Sequence, residues 1–265
     1  MSRTGKPRSA LATTLLSIGA AAVPLVAGIG LTLKLSDHAL HHENLRVGQA
    51  ALQRMDRILE TVSETAAALA PTTGQRCQTA IGPMRMAVAR DPWIRSASQA
   101  YKGTAYCNTV SGTIGTARLP AAVPGPFTHQ ALELRRPGAR SDSNGSLLLI
   151  NSKADYALTV RIDNRVLMEQ LELISGSVDV ALHVSGTYLW DDGSLLRGEI
   201  RQNPRYRVML PSSKFDYAIH SSLSGEDVLN LLTRKLLLLM GPVMMLSILS
   251  GGLCHWLLTR PGRQP

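Results

Sequence analysis

The sequence predicts an α+β chain in which two membrane-crossing helices flank a single domain outside the cytoplasm. Three observations carry this expectation. Uncharged apolar stretches lie near both ends, Ala10 to Leu33 and Leu236 to Leu258. A long stripe of apolar residues at spacings of three and four follows the first stretch. Beyond residue 107 the hydrophobic period falls to two, the mark of half-buried strands.

The first stretch is long enough, at about 1.5 Å per residue, to cross a hydrocarbon core of roughly 30 Å. Arg3, Lys6 and Arg8 precede it. A signal peptide has the same order of parts, and Ala20-Ala21-Ala22 offers a small-residue cleavage site. The apolar run continues through Val26 to Leu33, which favours an uncleaved anchor over residues 10–34. The second span, residues 235–258, has basic residues on both sides: Arg234 and Lys235 before it, Arg260 and Arg263 after it. The first span sets the orientation, so both tails (1–9 and 259–265) are expected in the cytoplasm and residues 35–234 in the periplasm. Gly241-Pro242 is a place for a kink. Ser247, Ser250, Gly251 and Gly252 form a small-residue face suited to helix contact, either with the first span or in a homodimer.

Within the domain, Leu45, Leu52, Met55, Leu59, Val62, Ala66 and Leu69 form the stripe of a long amphipathic helix, which Pro71 and Gly74 stop. The stripe packs either on the domain's own core or against a second copy. The run His38-Ala39-Leu40-His41-His42-Glu43 has metal-like spacing on a helical face. Crowded polar residues beside a membrane are the commoner occurrence, and no metal or cofactor is assigned. Cys77 opens a second helix, with Ile81, Met84, Met86 and Val88 apolar, closed by Asp91-Pro92. Leu147 to Ile150 is expected as a buried strand. Tyr156 to Ile162, Val178 to Val184 and Phe215 to Ile219 alternate as half-buried strands. Arg165 to Leu173 has helical spacing after Asp163-Asn164, and Asp191-Asp192-Gly193 marks a hairpin turn. The order is long helix, short helix, strands, helix, antiparallel meander. That plan is shared with PAS-like and CACHE-like sensors, an analogy of fold that carries no function alone.

Composition and motifs exclude several functions. Five of the 28 basic residues sit in the tails, leaving only a small excess over the 19 acidic ones, with no dense basic run and few aromatics. Nucleic-acid binding is therefore not expected. There is no Gly-x-Ser-x-Gly elbow, His-Glu-x-x-His, Walker loop or Gly-x-Gly-x-x-Gly. Val110 to Gly115 is expected as a turn. His183 and His220 fall in strand patterns, where they either line a cleft with Tyr188 or Trp190 or lie exposed on a sheet face; the exposed position is preferred.

Cysteine is scarce. Of Cys77, Cys107 and Cys254, the last lies inside the second apolar stretch, so the one bridge open to the soluble part joins Cys77 to Cys107. Closing that loop removes denatured-state entropy worth roughly 3–4 kcal/mol. The bridge is either a staple or a redox-sensitive element.

At Cys107-Asn108-Thr109 the layout resembles the CSS-motif sensor region of bacterial cyclic-di-GMP phosphodiesterases: a basic start, one span, a long helix into a periplasmic domain, a cysteine some thirty residues before Cys107, and a second span. The family's Cys-Ser-Ser reads Cys-Asn-Thr here, keeping a hydroxyl at the third position and placing an amide at the second. The resemblance implies Cys107 as the motif cysteine and Cys77 as its partner. It also implies an inner-membrane protein whose second span leads to an EAL phosphodiesterase domain. The sequence holds no Glu-Ala-Leu motif, so the expectation is a sensor module without its enzyme. Its expected partners are the inner membrane, periplasmic thiol-disulfide oxidoreductases, a second copy of the chain and a separate cyclic-di-GMP effector. The competing expectation is a module binding a small periplasmic ligand, with a purely structural disulfide.

Overall fold

The computed structural model describes residues 10–115, 119–120, 125–136, 145–197, 205–223 and 225–259. The basic residues of both tails lie outside these. Two compact units result: one comprises the chain up to His42 and from Gly225 on, the other Glu43–Ser224.

In the first unit, helix α1 (Ala10–Ala68) begins and helix α4 (Gly225–Thr259) ends. Both are long and apolar enough to cross a membrane, within Thr14–Ala68 and Met240–Leu258. The apolar run and the amphipathic stripe that follows are one continuous helix. The two apolar helices run antiparallel through small residues. A Cβ on Gly28 would stand 2.9 Å from Val243, and one on Gly251 would stand 3.0 Å from the Ala21 Cβ. The Ser250 hydroxyl donates to the Ala20 carbonyl at 2.9 Å, and that of Ser247 donates to the Ala21 carbonyl. Where lipid surrounds such helices, close backbone approach and hydroxyl-to-carbonyl bonds are what remains to hold them together.

In the second unit, α1 buries Val47, Ala51, Met55, Ile58, Leu59, Val62, Ala66 and Leu69. Each large side chain so removed from water stabilises the fold by about 1.5–3 kcal/mol. A 3₁₀ turn at Ala70–Thr72 carrying Pro71 ends the run, and α2 (Cys77–Arg90) follows. Then come β1 (Ile94–Tyr101), β2 (Thr104–Asn108), β3 (Gly112–Thr113), β4 (His129–Arg135), β5 (Ser146–Lys153) and β6 (Tyr156–Asp163). Helix α3 (Asn164–Ser175) leads to β7 (Asp179–Val184), β8 (Thr187–Trp190), β9 (Leu195–Arg197), β10 (Arg205–Pro211) and β11 (Ala218–Leu223). The Asp163 carboxylate caps α3 by accepting from the Arg165 amide at 3.0 Å.

The expected single sheet is two. Six strands pair in the order β3-β2-β1-β6-β5-β4 and five in the order β10-β11-β7-β8-β9, all antiparallel. Helix α3 sits between β6 and β7 in the chain and divides the meander. The segment from Trp93 to Tyr106, which has no clear period, forms the β1–β2 hairpin. Its turn, Lys102-Gly103, has positive φ at both residues (46° and 77°), the twist a tight hairpin needs. The stretch from Val110 to Gly115, expected as a turn, includes the short strand β3. The alternation from Phe215 to Ile219 is only in part a strand: β11 starts at Ala218, while Phe215 and Tyr217 lie in a turn closed by the Ser212 amide on the Tyr217 carbonyl at 2.9 Å.

Polar contacts brace α1 along its length. Arg54 donates to Gln170 of α3 at 2.8 Å, Gln130 of β4 donates to Ser63 at 2.9 Å, and Thr65 donates to Asp91 at 2.9 Å. Asp56 accepts from Tyr217 at 2.6 Å and from Ser212 at 2.7 Å. Burial, then the bond to Asp56, pushes the Tyr217 phenol far up, so it stays a donor. Gly48 lets the helix approach β11, since a Cβ there would stand 2.8 Å from the Ser221 hydroxyl.

Candidate functional site

Helix α2 lies on β1 and β2, with Cys77 in its first turn. A disulfide ties it there: Cys77 and Cys107 are bonded, with their Cα atoms 5.2 Å apart and a sequence separation of 30. Both are buried, Cys107 completely and Cys77 at 6% exposure. A fault in the strand pairing makes this geometry. Gln99 pairs with Cys107 but Ala100 pairs with Ala105, so Tyr106 is the extra residue of a bulge. In a regular strand neighbouring side chains point to opposite faces. The bulge instead lets Tyr106 and Cys107 both bury.

Tyr106 then anchors a polar network beneath the bridge. Its hydroxyl donates to the Gln99 side-chain carbonyl at 2.5 Å and accepts from the Gly74 amide at 3.0 Å. The Gln99 amide donates to Thr72 at 3.0 Å. Gln99 is wholly buried, and burial raises the Tyr106 phenol above its ordinary range. The turn where α1 gives way to α2 is thus fixed to the hairpin by hydrogen bonds as well as by sulfur. Sequence reading missed Gln99 and Tyr106, because their pairing depends on the bulge.

The other two motif residues shape the strand end. The Asn108 side chain accepts from the Val110 amide at 2.8 Å, closing the turn into β3. The Thr109 hydroxyl accepts from the Ala97 amide at 3.1 Å, its own amide donates to the Ala97 carbonyl at 2.9 Å, and Arg85 of α2 donates to its carbonyl at 3.0 Å. Cys107, Asn108 and Thr109 therefore do three different jobs: bridge, turn closure and strand lock.

The third cysteine, Cys254, lies in α4 and forms no disulfide. Ser247 and Gly251 meet Ala21 of α1 within the first unit. The preferred exposed placement of the sheet histidines is overturned for His220, which is 3% exposed. It meets His183 and Tyr188 edge-on, with ring centroids 5.4 and 5.0 Å away, while His183 stacks on Tyr188 at 4.4 Å. Burial first, then His183 and Arg207, lowers the His220 imidazole to about 4. Neither of its ring nitrogens has a hydrogen-bond partner among the described residues.

A cavity of about 490 Å³ opens between α1 and α2, with Thr61, Leu69, Met86, Arg90 and Pro92 in its walls. Its size suits a small ligand. Among the described residues no three His, Cys, Asp or Glu side chains are grouped to hold a metal ion.

No curated protein matches the chain. The bridge, the bulge and the Cys-Asn-Thr turn all fall inside residues 43–234, which match a family model described as a CSS motif domain associated with EAL. The chain therefore belongs to the family of CSS-motif domains associated with EAL.

Proposed function

We propose that this protein is a membrane-anchored periplasmic redox or envelope sensor module related to cyclic-di-GMP phosphodiesterases. Residues 10–34 and 235–258 cross the inner membrane, residues 35–234 form the sensor domain in the periplasm, and both tails face the cytoplasm. The observation that carries this reading is the Cys77–Cys107 bridge in a CSS-motif domain. The bridge holds α2 on the hairpin. The turn after α2 is bonded to α1 through Thr65 and Asp91, and α1 is continuous with the first apolar run.

In this proposal a periplasmic thiol-disulfide oxidoreductase supplies the reducing dithiol. One of its thiolates attacks a bridge sulfur to form a mixed disulfide. Its second thiol then displaces the mixed bond, leaving Cys77 and Cys107 as thiols and the oxidoreductase as a disulfide. With the bridge open, α2 is held on the hairpin by noncovalent contacts alone and restrains α1 less, a bias of the order of 1–3 kcal/mol being typical of signalling. A second copy of the chain or a separate cyclic-di-GMP effector reads the change.

A second reading, a small-ligand module whose disulfide is a staple, is favoured by the burial of both sulfurs and by the cavity beside α2. Thiol trapping of the membrane-embedded protein over a range of redox poises separates the two. A sensor changes state near the periplasmic poise with the domain still folded; a bridge that yields only on unfolding refutes the redox reading. Reporter fusions after Leu35 test the placement, and a cytoplasmic signal there overturns it.

A further inference from the structure

The histidine run on α1 is used by none of this. His38 and His42 are one helical turn apart and so share a face. Their Nε2 atoms stand 3.1 Å apart, with ring centroids at 4.4 Å and planes at 86°. For metal–nitrogen bonds of about 2.0–2.1 Å, that separation subtends about 100° at a shared cation. This lies between the tetrahedral angle and the right angle of a tetragonal site. Both side chains are exposed, so a hydrated ion reaches them without the helix opening. The helix runs unbroken through both residues, which makes the pair a preorganised chelate.

We infer that His38 and His42 form a bidentate site for a borderline divalent cation, Cu²⁺ above all, with Ni²⁺ and Zn²⁺ weaker. Two imidazoles exclude the hard cations Mg²⁺ and Ca²⁺, which take oxygen ligands, and the order of affinities across the series places copper first. Neighbouring groups set the limits of the site. The His41 ring lies 6.5 Å from that of His42. Glu43 is held by Arg46, whose guanidinium reaches both carboxylate oxygens at 2.5 and 3.0 Å and lowers its pKa. Water therefore completes the coordination. In the metal-free protein one Nε2 donates to the other; for the cation to bind, that proton moves to the ring's Nδ1, leaving both Nε2 lone pairs to the ion. Binding also locks one turn of α1, just beyond the uncharged run that ends at Leu33, and so makes the helix there more stable by an amount that grows with the logarithm of cation concentration above Kd.

The test uses full-length untagged protein in lipid nanodiscs titrated with CuCl₂, read by calorimetry and by electron paramagnetic resonance. One equivalent of Cu²⁺ should show an axial spectrum with couplings to two nitrogens. A directly bound ligand is worth at least as much as an outer-sphere partner, so His38→Ala and His42→Ala should each weaken binding by roughly 10–100-fold or more. The double variant should lose little beyond either single one, because the chelate is one unit. His41→Ala should stay within about twofold. His38, His41 and His42 are all exposed and alanine favours a helix, so circular dichroism should show every variant folded. The inference is overturned if His41→Ala weakens binding as much as His42→Ala, or if the double variant keeps the copper signal, which would place the ion on other histidines.

Discussion

Replacing Cys77 and Cys107 by alanine tests the bridge with least disturbance, because alanine puts no hydroxyl into a buried site. The bond closes a loop with a sequence separation of 30. In the chain-entropy model its loss restores denatured-state freedom worth about 3–4 kcal/mol. The network from Tyr106 to Gln99, Gly74 and Thr72 remains, so the turn between α1 and α2 stays bonded to the hairpin and the domain still folds. With a urea slope of about 2–3 kcal/mol/M, the unfolding midpoint should fall by about 1–2 M. Protease pulses at increasing urea, on protein in nanodiscs, give this midpoint for the domain. Cys77→Ala, Cys107→Ala, the double variant and the reduced wild type should coincide, since each lacks the same bond. Reductant should leave the double variant unchanged. Single effects that add, or a shift below about 0.3 M, would refute a stabilising bridge.

Tyr106→Phe should cost about 1–3 kcal/mol in the same assay, because it leaves the buried Gln99 carbonyl and the Gly74 amide without their partner. Thr109→Val should lower stability by about 1 kcal/mol while Thr109→Ser keeps it, since serine retains the hydroxyl that accepts from Ala97. His220 binds its proton less readily in the fold than in the unfolded chain, with about 4 against the ordinary 6.5. The unfolded state therefore gains protons first, and stability should fall as pH drops from about 6.5 to about 4, then level off. His183, lowered in the same direction by burial, adds to this limb; His220→Phe should flatten it, as measured by melting temperature against pH. Cysteines placed together at Ala21 and Gly251 should crosslink within one chain, running as a monomer on a denaturing gel; a species of twice the mass would show that the small-residue face meets a second copy.

What sequence alone determined here was local or a matter of elimination. The stripe of α1 from Leu45 to Leu69, the Cys77 start of α2, the Asp163 cap of α3 and the alternation of β6 and β7 are periodicities and capping preferences that act within a few residues. The pairing of Cys77 with Cys107 needed only that Cys254 lie in an apolar span. Tertiary structure decided the rest. The strand Ile94-Arg95-Ser96-Ala97-Ser98-Gln99-Ala100-Tyr101 is small and polar, with a bulge after Ile94 that shifts its alternation, so it is a strand only because β2 and β6 flank it. The bulge at Tyr106 of β2 lets Tyr106 and Cys107 both bury, which no period of two foretells. The split into two sheets and the burial of His220 depend on which elements cover which face, a choice made by contacts among residues far apart in the chain.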